Sequence, residues 1–217
     1  MEPSLQLAGN ASVNERIHRC LAKVHPDDVS KFVRRFREQR PQQAAHTYRE
    51  LLVGAYLADL PVPGRYDLEL HGKTPDWSVF DESGSISGII ELMTFHQTAE
   101  IDRAIGEHWG RGQVWCDWMP QNAPRLYQKL QEKAERYELL ARQLDVPYVV
   151  SVFGEFTASV DQHEVEETLF SLHGGAFTQF AWLSGVLYFQ ESFGTYRFKY
   201  FANPSHPRQL PLRDLHL

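Results

Sequence analysis

Along the chain, apolar positions first recur every three or four residues, then every second residue, and the changes of period delimit the predicted elements. The three- and four-residue spacing predicts helices over 13–24, 26–38 and 42–59. Pro26 with Asp27 and Asp28 opens the second, and the Pro61/Pro63 pair stops the third. Three strands are expected next, "RYDLEL" (65–70), "DWSVF" (76–80) and "SGIIELMTF" (87–95), separated by "HGK" and "DESGS". Leu126, Leu130, Ala134, Tyr137 and Ala141 then mark a long helix over 123–144, and "PYVVSVFG" (147–154) has the unbroken apolar run of a buried strand. A helix near 162–172 and strands near 183–190 and 195–201 complete the pattern. Residues 1–12 lack periodicity and are expected to form a loose tail, while 97–121 begin helically and turn rich in Gly, Trp and Pro.

The expectation is an α/β fold, a mixed sheet flanked by helices, in one domain: 217 residues bury a sizeable core, and no repeat, low-complexity segment or linker interrupts them. The apolar runs "LLVGAYLADL" and "FAWLSGVLYF" are too short to span a bilayer, and no signal-peptide pattern precedes "NERIHRCLAKVH". Two distant cysteines, Cys20 and Cys116, fit a reducing cytoplasm and no zinc site. A net charge of −6 argues against coating nucleic acid through the overall field. It leaves room for a local basic surface, and "KFVRRFREQR" concentrates Lys31, Arg34, Arg35, Arg37 and Arg40. This run reads either as a solvated helix face, with Phe32, Val33 and Phe36 turned inward, or as an edge that contacts phosphates.

Candidate chemistry enters with two acids. If the turn between the second and third strands is centred between Ser83 and Gly84, facing residues sum to 167, and Asp76 lies opposite Glu91. They share a face with Ser78, Phe80, Ile89 and Met93, while Trp77, Val79, Ile90 and Leu92 point the other way. Like charges directly opposite repel, and a hard divalent cation such as Mg²⁺ converts that repulsion into coordination. The bland alternatives are a solvated face, or a basic side chain paired with Glu91.

The order helix, three-stranded meander, helix, strand resembles the core of the PD-(D/E)XK nuclease superfamily, the restriction-endonuclease-like fold. Pro75–Asp76 matches its PD, and Glu91–Leu92–Met93 stands where its (D/E)XK belongs. Glu50, in "YRELLVGAYL", matches the acid many members carry on the first core helix, and "LQEKAERYELLARQLDVPYVVSVFG" and "WLSGVLYF" followed by "NP" are similar to later segments. The likeness spans about 42–204. It implies a nuclease-like core over 42–154, an N-terminal helical extension (1–41) and a C-terminal helix with strands (155–217). It further implies a Mg²⁺- or Mn²⁺-dependent nuclease acting on nucleic acid, DNA above all, with Glu50, Asp76 and Glu91 catalytic. Asp76, Glu91 and the Leu92 carbonyl would hold the metal, and a homodimer is compatible with the family.

The departure is Met93, where the family has a lysine that orients the attacking water. Some members take this lysine from the following helix, which points to Lys133, with Lys129 and Lys73 as other sources of charge. On the phosphate-contacting reading, Lys31, Arg34, Arg35, Lys73 and Lys129 meet nucleic acid. The rival reading is a module that kept the fold and lost the chemistry, serving in binding, structure or immunity.

Other constellations add little. The ten histidines form neither HExxH nor HxxxH, and no GxGxxG, GxxxxGK[ST] or GxSxG occurs. His96, just past the Glu91 strand, is a surface or capping residue on the bland reading and a neighbour of the site on the sharp one. Trp109, Trp115 and Trp118 either pack or stack on bases, and Gly110–Arg111–Gly112 is too little for a phosphate loop.

Overall fold

The structure is a computed structural model that describes residues 11–38, 41–60, 62–95, 122–154, 160–171, 174–192 and 194–217. Arg40, His96, Cys116, Trp109, Trp115, Trp118 and Gly110–Gly112 lie outside the described residues. Three helices come first: α1 (Ala11–Leu21), α2 (Pro26–Glu38) and α3 (Pro41–Asp59). The strands β1 (Gly64–Tyr66), β2 (Trp77–Phe80) and β3 (Ile86–Phe95) lead to α4 (Ala123–Leu144) and β4 (Tyr148–Gly154). The chain continues through α5 (Gln162–Phe170), α6 (Ala176–Gln179), β5 (Leu183–Ser192), β6 (Thr195–Ala202) and β7 (Leu215–His216).

Among the described residues the strands form one seven-stranded mixed sheet, ordered β1-β2-β3-β4-β5-β6-β7. The β3–β4 and β4–β5 pairs are parallel and the others antiparallel. Parallel strands are covered on both faces, and every residue of β4 is buried accordingly. One face carries Trp77, Val79, Ile90, Leu92 and Val149, packed with Ile17, Phe32 and Leu51 of α1–α3. The other carries Ile89, Met93, Val150 and Val186, packed with Leu126, Leu130 and Ala134 of α4 and Val165 of α5. The division of β2 and β3 side chains between faces is the one their alternation predicts. Each fully buried Leu or Phe contributes roughly 2 kcal/mol of transfer free energy, so two such clusters fix where both helical layers sit on the sheet.

Gly54 brings α3 hard against β2: a methyl group there would overlap the Trp77 ring. The Trp77 indole donates from Nε1 to the Glu50 backbone carbonyl at 3.0 Å, which pins the same helix at the turn that bears the acid. Among the described residues no helix is long and apolar enough to cross a membrane.

Two predicted elements change. β1 ends at Tyr66 rather than 70, because Asp67 adopts a left-handed φ of 53° and leaves the extended conformation. Leu70 and Lys73 then exchange backbone hydrogen bonds across His71 and Gly72, both at positive φ, so "LHGK" is a tight turn. Helix α1 begins at Ala11, two residues before the predicted start. Neither α6, one turn long, nor the two-residue β7 has enough periodicity to register in sequence.

Candidate functional site

The β2–β3 register is the predicted one: Trp77 faces Ile90 and Ser78 faces Ile89, with an irregularity only beyond Val79, next to the turn. Asp76 sits one residue before β2, beside Glu91, and its backbone N–H points to Glu91 Oε2 at 3.4 Å. The Leu92 N–H donates to Asp76 Oδ2 at 2.6 Å, so the first acid is tied to the strand of the second. Tyr137 of α4 donates to the Thr74 carbonyl at 3.0 Å and holds the segment entering Asp76. Glu50 arrives from the opposite helical layer on α3, and the Tyr66 hydroxyl donates to its Oε2 at 2.6 Å.

Glu50 and Glu91 are 2 % and 3 % exposed, so their charges are costly. Burial and the neighbouring Asp76 carboxylate push Glu50 up to about 8, although Tyr66 and Arg35 pull the other way. Burial also raises Asp76, against the opposing Leu92 N–H and Lys133 ammonium. Glu91 is raised by burial and then by Asp76, with Lys133 resisting. Asp76 raises the titration of both glutamates, so it is close enough to each for the three carboxyl groups to act together.

The cations come from both layers. Lys133 Nζ donates to Glu91 Oε1 at 2.7 Å, with the Arg136 guanidinium 3.8 Å from the same oxygen. The Tyr148 hydroxyl caps the Lys133 carbonyl at 2.9 Å. Met93 is buried in the apolar cluster that includes Leu126, Leu130 and Ala134, next to Lys133 in sequence. Lys129 is half-buried and Lys73 exposed, and neither pairs with the three acids. On the other side, Arg35 Nη1 lies 3.5 Å from Glu50 Oε2 and His46 Nε2 lies 3.5 Å from Glu50 Oε1.

The basic run of α2 divides in two. Arg34 and Arg37 are exposed. Lys31 turns inward to the Tyr66 carbonyl at 2.6 Å and Asp28 at 3.1 Å, and Arg35 bonds Asp67 at 2.9 Å. Lys31 and Arg35 are therefore engaged within the molecule, where the phosphate-contacting reading has them free.

Four residues of the site escape the sequence reading. His46 stands four residues before Glu50 and Arg136 three after Lys133, both spacings that put side chains on one helix face. Those signals are present in the sequence. Tyr66 and Asp67 carry no comparable signal, since their roles depend on how β1 meets α2. Among the described residues no group of three or more His, Cys, Asp or Glu side chains is arranged to hold a metal ion. What the site offers is a pair of oxygen donors, Asp76 and Glu91, with Glu50 behind them.

No family model, curated protein or solved structure matches the chain.

Proposed function

We propose that the chain is a metal-dependent phosphodiesterase acting on nucleic acid, DNA in the first instance, built on a restriction-endonuclease-like core of α3, β1–β3, α4 and β4. The observation that carries this reading is the Lys133 ammonium, 2.7 Å from Glu91 Oε1, supplying from a helix the positive charge that Met93 cannot supply from β3. The donor set suits Mg²⁺ or Mn²⁺: these ions take one or two carboxylates and keep several waters, so Asp76 and Glu91 with the Leu92 carbonyl would be sufficient. When bound, such an ion lowers the pKa of a coordinated water and offsets charge on the phosphate.

The chain's own groups do the rest. Lys133 orients a water beside Glu91 and donates hydrogen bonds to it or to a phosphate oxygen. Glu50, fixed by the Tyr66 hydroxyl, accepts from a second water and can hold a proton near neutral pH. Arg34, Lys73 and Lys129 are the remaining candidates for contacts to flanking phosphates.

Two readouts test this. Titration with Mg²⁺ or Mn²⁺ should give binding and a higher melting temperature, since a ligand selective for the native state stabilises it. Asp76→Asn should remove that increment without destabilising the metal-free protein, and duplex DNA should be cut only when metal is present. Metal stabilisation unchanged in Asp76→Asn sinks the site.

A second reading has its own support. Glu91 already has Lys133 in contact, and Glu50 has Arg35 at 3.5 Å, so each buried acid faces a cation of the protein itself. On that reading the chain is a nuclease-fold module without catalysis, serving in binding, structure or immunity. No calorimetric signal and no cleavage with either ion is its signature.

A further inference from the structure

We infer that Arg35 is a positioning residue, through which the N-terminal helix α2 orients the Glu50 carboxylate. Its catalytic consequence rests on the nuclease reading above; its structural content does not.

Helix α2 is registered on the sheet by hydrogen bonds, not by apolar packing alone. Asp28, Lys31 and Arg35 recur at intervals of three and four and so share one face of α2. Asp28, whose side chain is wholly buried, accepts from the Tyr66 N–H at 2.9 Å. Lys31 donates to the Tyr66 carbonyl at 2.6 Å. Tyr66 lies on the outermost strand, so these two side chains satisfy the backbone groups that a further strand would otherwise take. The helix therefore cannot slide or rotate without breaking ladder-like bonds.

One turn further on, that registration delivers Arg35. Its Nη2 bonds Asp67 at 2.9 Å, its Nη1 lies 3.5 Å from Glu50, and its guanidinium lies over the Tyr66 ring at 5.1 Å from the centroid. A planar guanidinium can face two carboxylates at once while stacked, which an ammonium cannot do. Asp67 adopts its left-handed conformation at this point, bringing its carboxylate to the guanidinium. The Tyr66 hydroxyl and the Arg35 guanidinium then converge on one Glu50 oxygen, Oε2, while His46 Nε2 faces the other, Oε1, at 3.5 Å. A phosphate contact would require Arg35 to leave all three partners, whereas its neighbour Arg34 is exposed.

The test compares Arg35→Gln, Arg35→Lys, Asp67→Asn and Glu50→Gln, with Arg35→Gln also placed on the Glu50→Gln background. With Mg²⁺ and duplex DNA, Arg35→Gln should lower kcat about 10- to 100-fold with KM and its salt dependence unchanged, as expected when a neighbouring group is misplaced. The further loss on the Glu50→Gln background should be under about twofold, because effects of residues that act as a unit are not additive. Lysine should recover part of the loss, and Asp67→Asn, which tolerates the same backbone, should reproduce it in weaker form. A raised KM with a flatter salt slope and intact kcat would make Arg35 a phosphate contact and overturn the inference. So would full additivity with Glu50→Gln. If the wild type cuts no DNA, the nuclease reading falls and the inference is judged on melting temperatures in chelator. Above pH 8, where Glu50 is ionised, Arg35→Gln should then lower the melting temperature of the wild type more than that of Glu50→Gln, in which only the Asp67 and Tyr66 contacts are lost, and equal losses in both would overturn it.

Discussion

Glu50 and Glu91 are buried to nearly the same degree, yet the molecule handles them differently. Glu91 receives a short charge-assisted hydrogen bond from Lys133, roughly twice as strong as a neutral one. Glu50 receives its short bond from a neutral phenol, and its cations come no closer than 3.5 Å. Burial and the Asp76 charge raise both acids: Glu50 reaches about 8, and at Glu91 Lys133 opposes the rise by its charge and its hydrogen bond. The difference teaches that proximity of a cation is not enough; what counts is whether the cation itself makes the hydrogen bond. Glu91 is bonded directly to a cation, whereas Glu50 holds a proton at neutral pH.

The comparison breaks most visibly at Lys133. Lys133→Ala should cut metal-dependent cleavage by at least about a hundredfold, in the range lost with a transition-state donor. Metal-induced stabilisation should persist, because the carboxylates remain. The metal-free protein should lose about 3 kcal/mol by chemical denaturation, since among the described residues the cation left to Glu91 is Arg136 at 3.8 Å. Met93→Lys on that background should restore part of the activity; full activity in Lys133→Ala itself would exclude the residue from catalysis.

Glu50→Gln sharpens the other half. In the unfolded chain a glutamate titrates near 4.3, whereas folded Glu50 titrates at about 8. Between those values the native state holds a proton that the unfolded state has released, so stability falls as pH rises through the window. Melting curves from pH 5 to pH 8 should show this fall in the wild type, roughly 3–4 kcal/mol from Glu50, and a shallower one in Glu50→Gln, where Asp76 and Glu91 remain raised. At pH 8 the variant should be the more stable of the two. A pH profile identical in both proteins would mean that Glu50 stays ionised throughout.

Tyr66→Phe probes the neutral donor alone. Its ring contact with Phe32, at 4.0 Å between centroids, survives the change. The lost hydrogen bond should cost about 1 kcal/mol and move the pH window upward. The smallest effect belongs to Arg34→Ala, within about 0.5 kcal/mol in stability. If Arg34 meets a phosphate, the salt slope of DNA binding should drop by about one.

Much of this contrast was legible before the fold. The sum rule for facing residues located Asp76 beside Glu91 because alternation favours the register that buries Trp77 and Ile90; next to the turn the pairing slips to Phe80–Ile86, and the irregularity beyond Val79 takes up the difference. Lys133 was legible because it adjoins Ala134 in a stripe of period 3.6. Arg35 was read as part of a charge run, since a linear pattern cannot say which of two adjacent arginines turns inward. That choice depends on Asp67, whose left-handed backbone is a tertiary outcome, and on an outermost strand that needs partners. The shortening of β1 has the same origin: "RYDLEL" alternates as a strand should, but the bonds at Asp67 outweigh the alternation.

Gly54 has a consequence for how such a site could be tuned over generations. The helix bearing Glu50 approaches β2 as closely as it does because no side chain intervenes at the Trp77 ring. Substitution by alanine would drive a wedge of one methyl between the layers and carry the Glu50 turn away from Asp76. The pKa of Glu50 would fall toward its ordinary value as burial loosens and the Asp76 charge recedes, with every charged residue unchanged. A single uncharged position thus sets the gauge of the carboxylate cluster. It offers a lineage a way to adjust the working pH of the site in one step, through distance instead of charge.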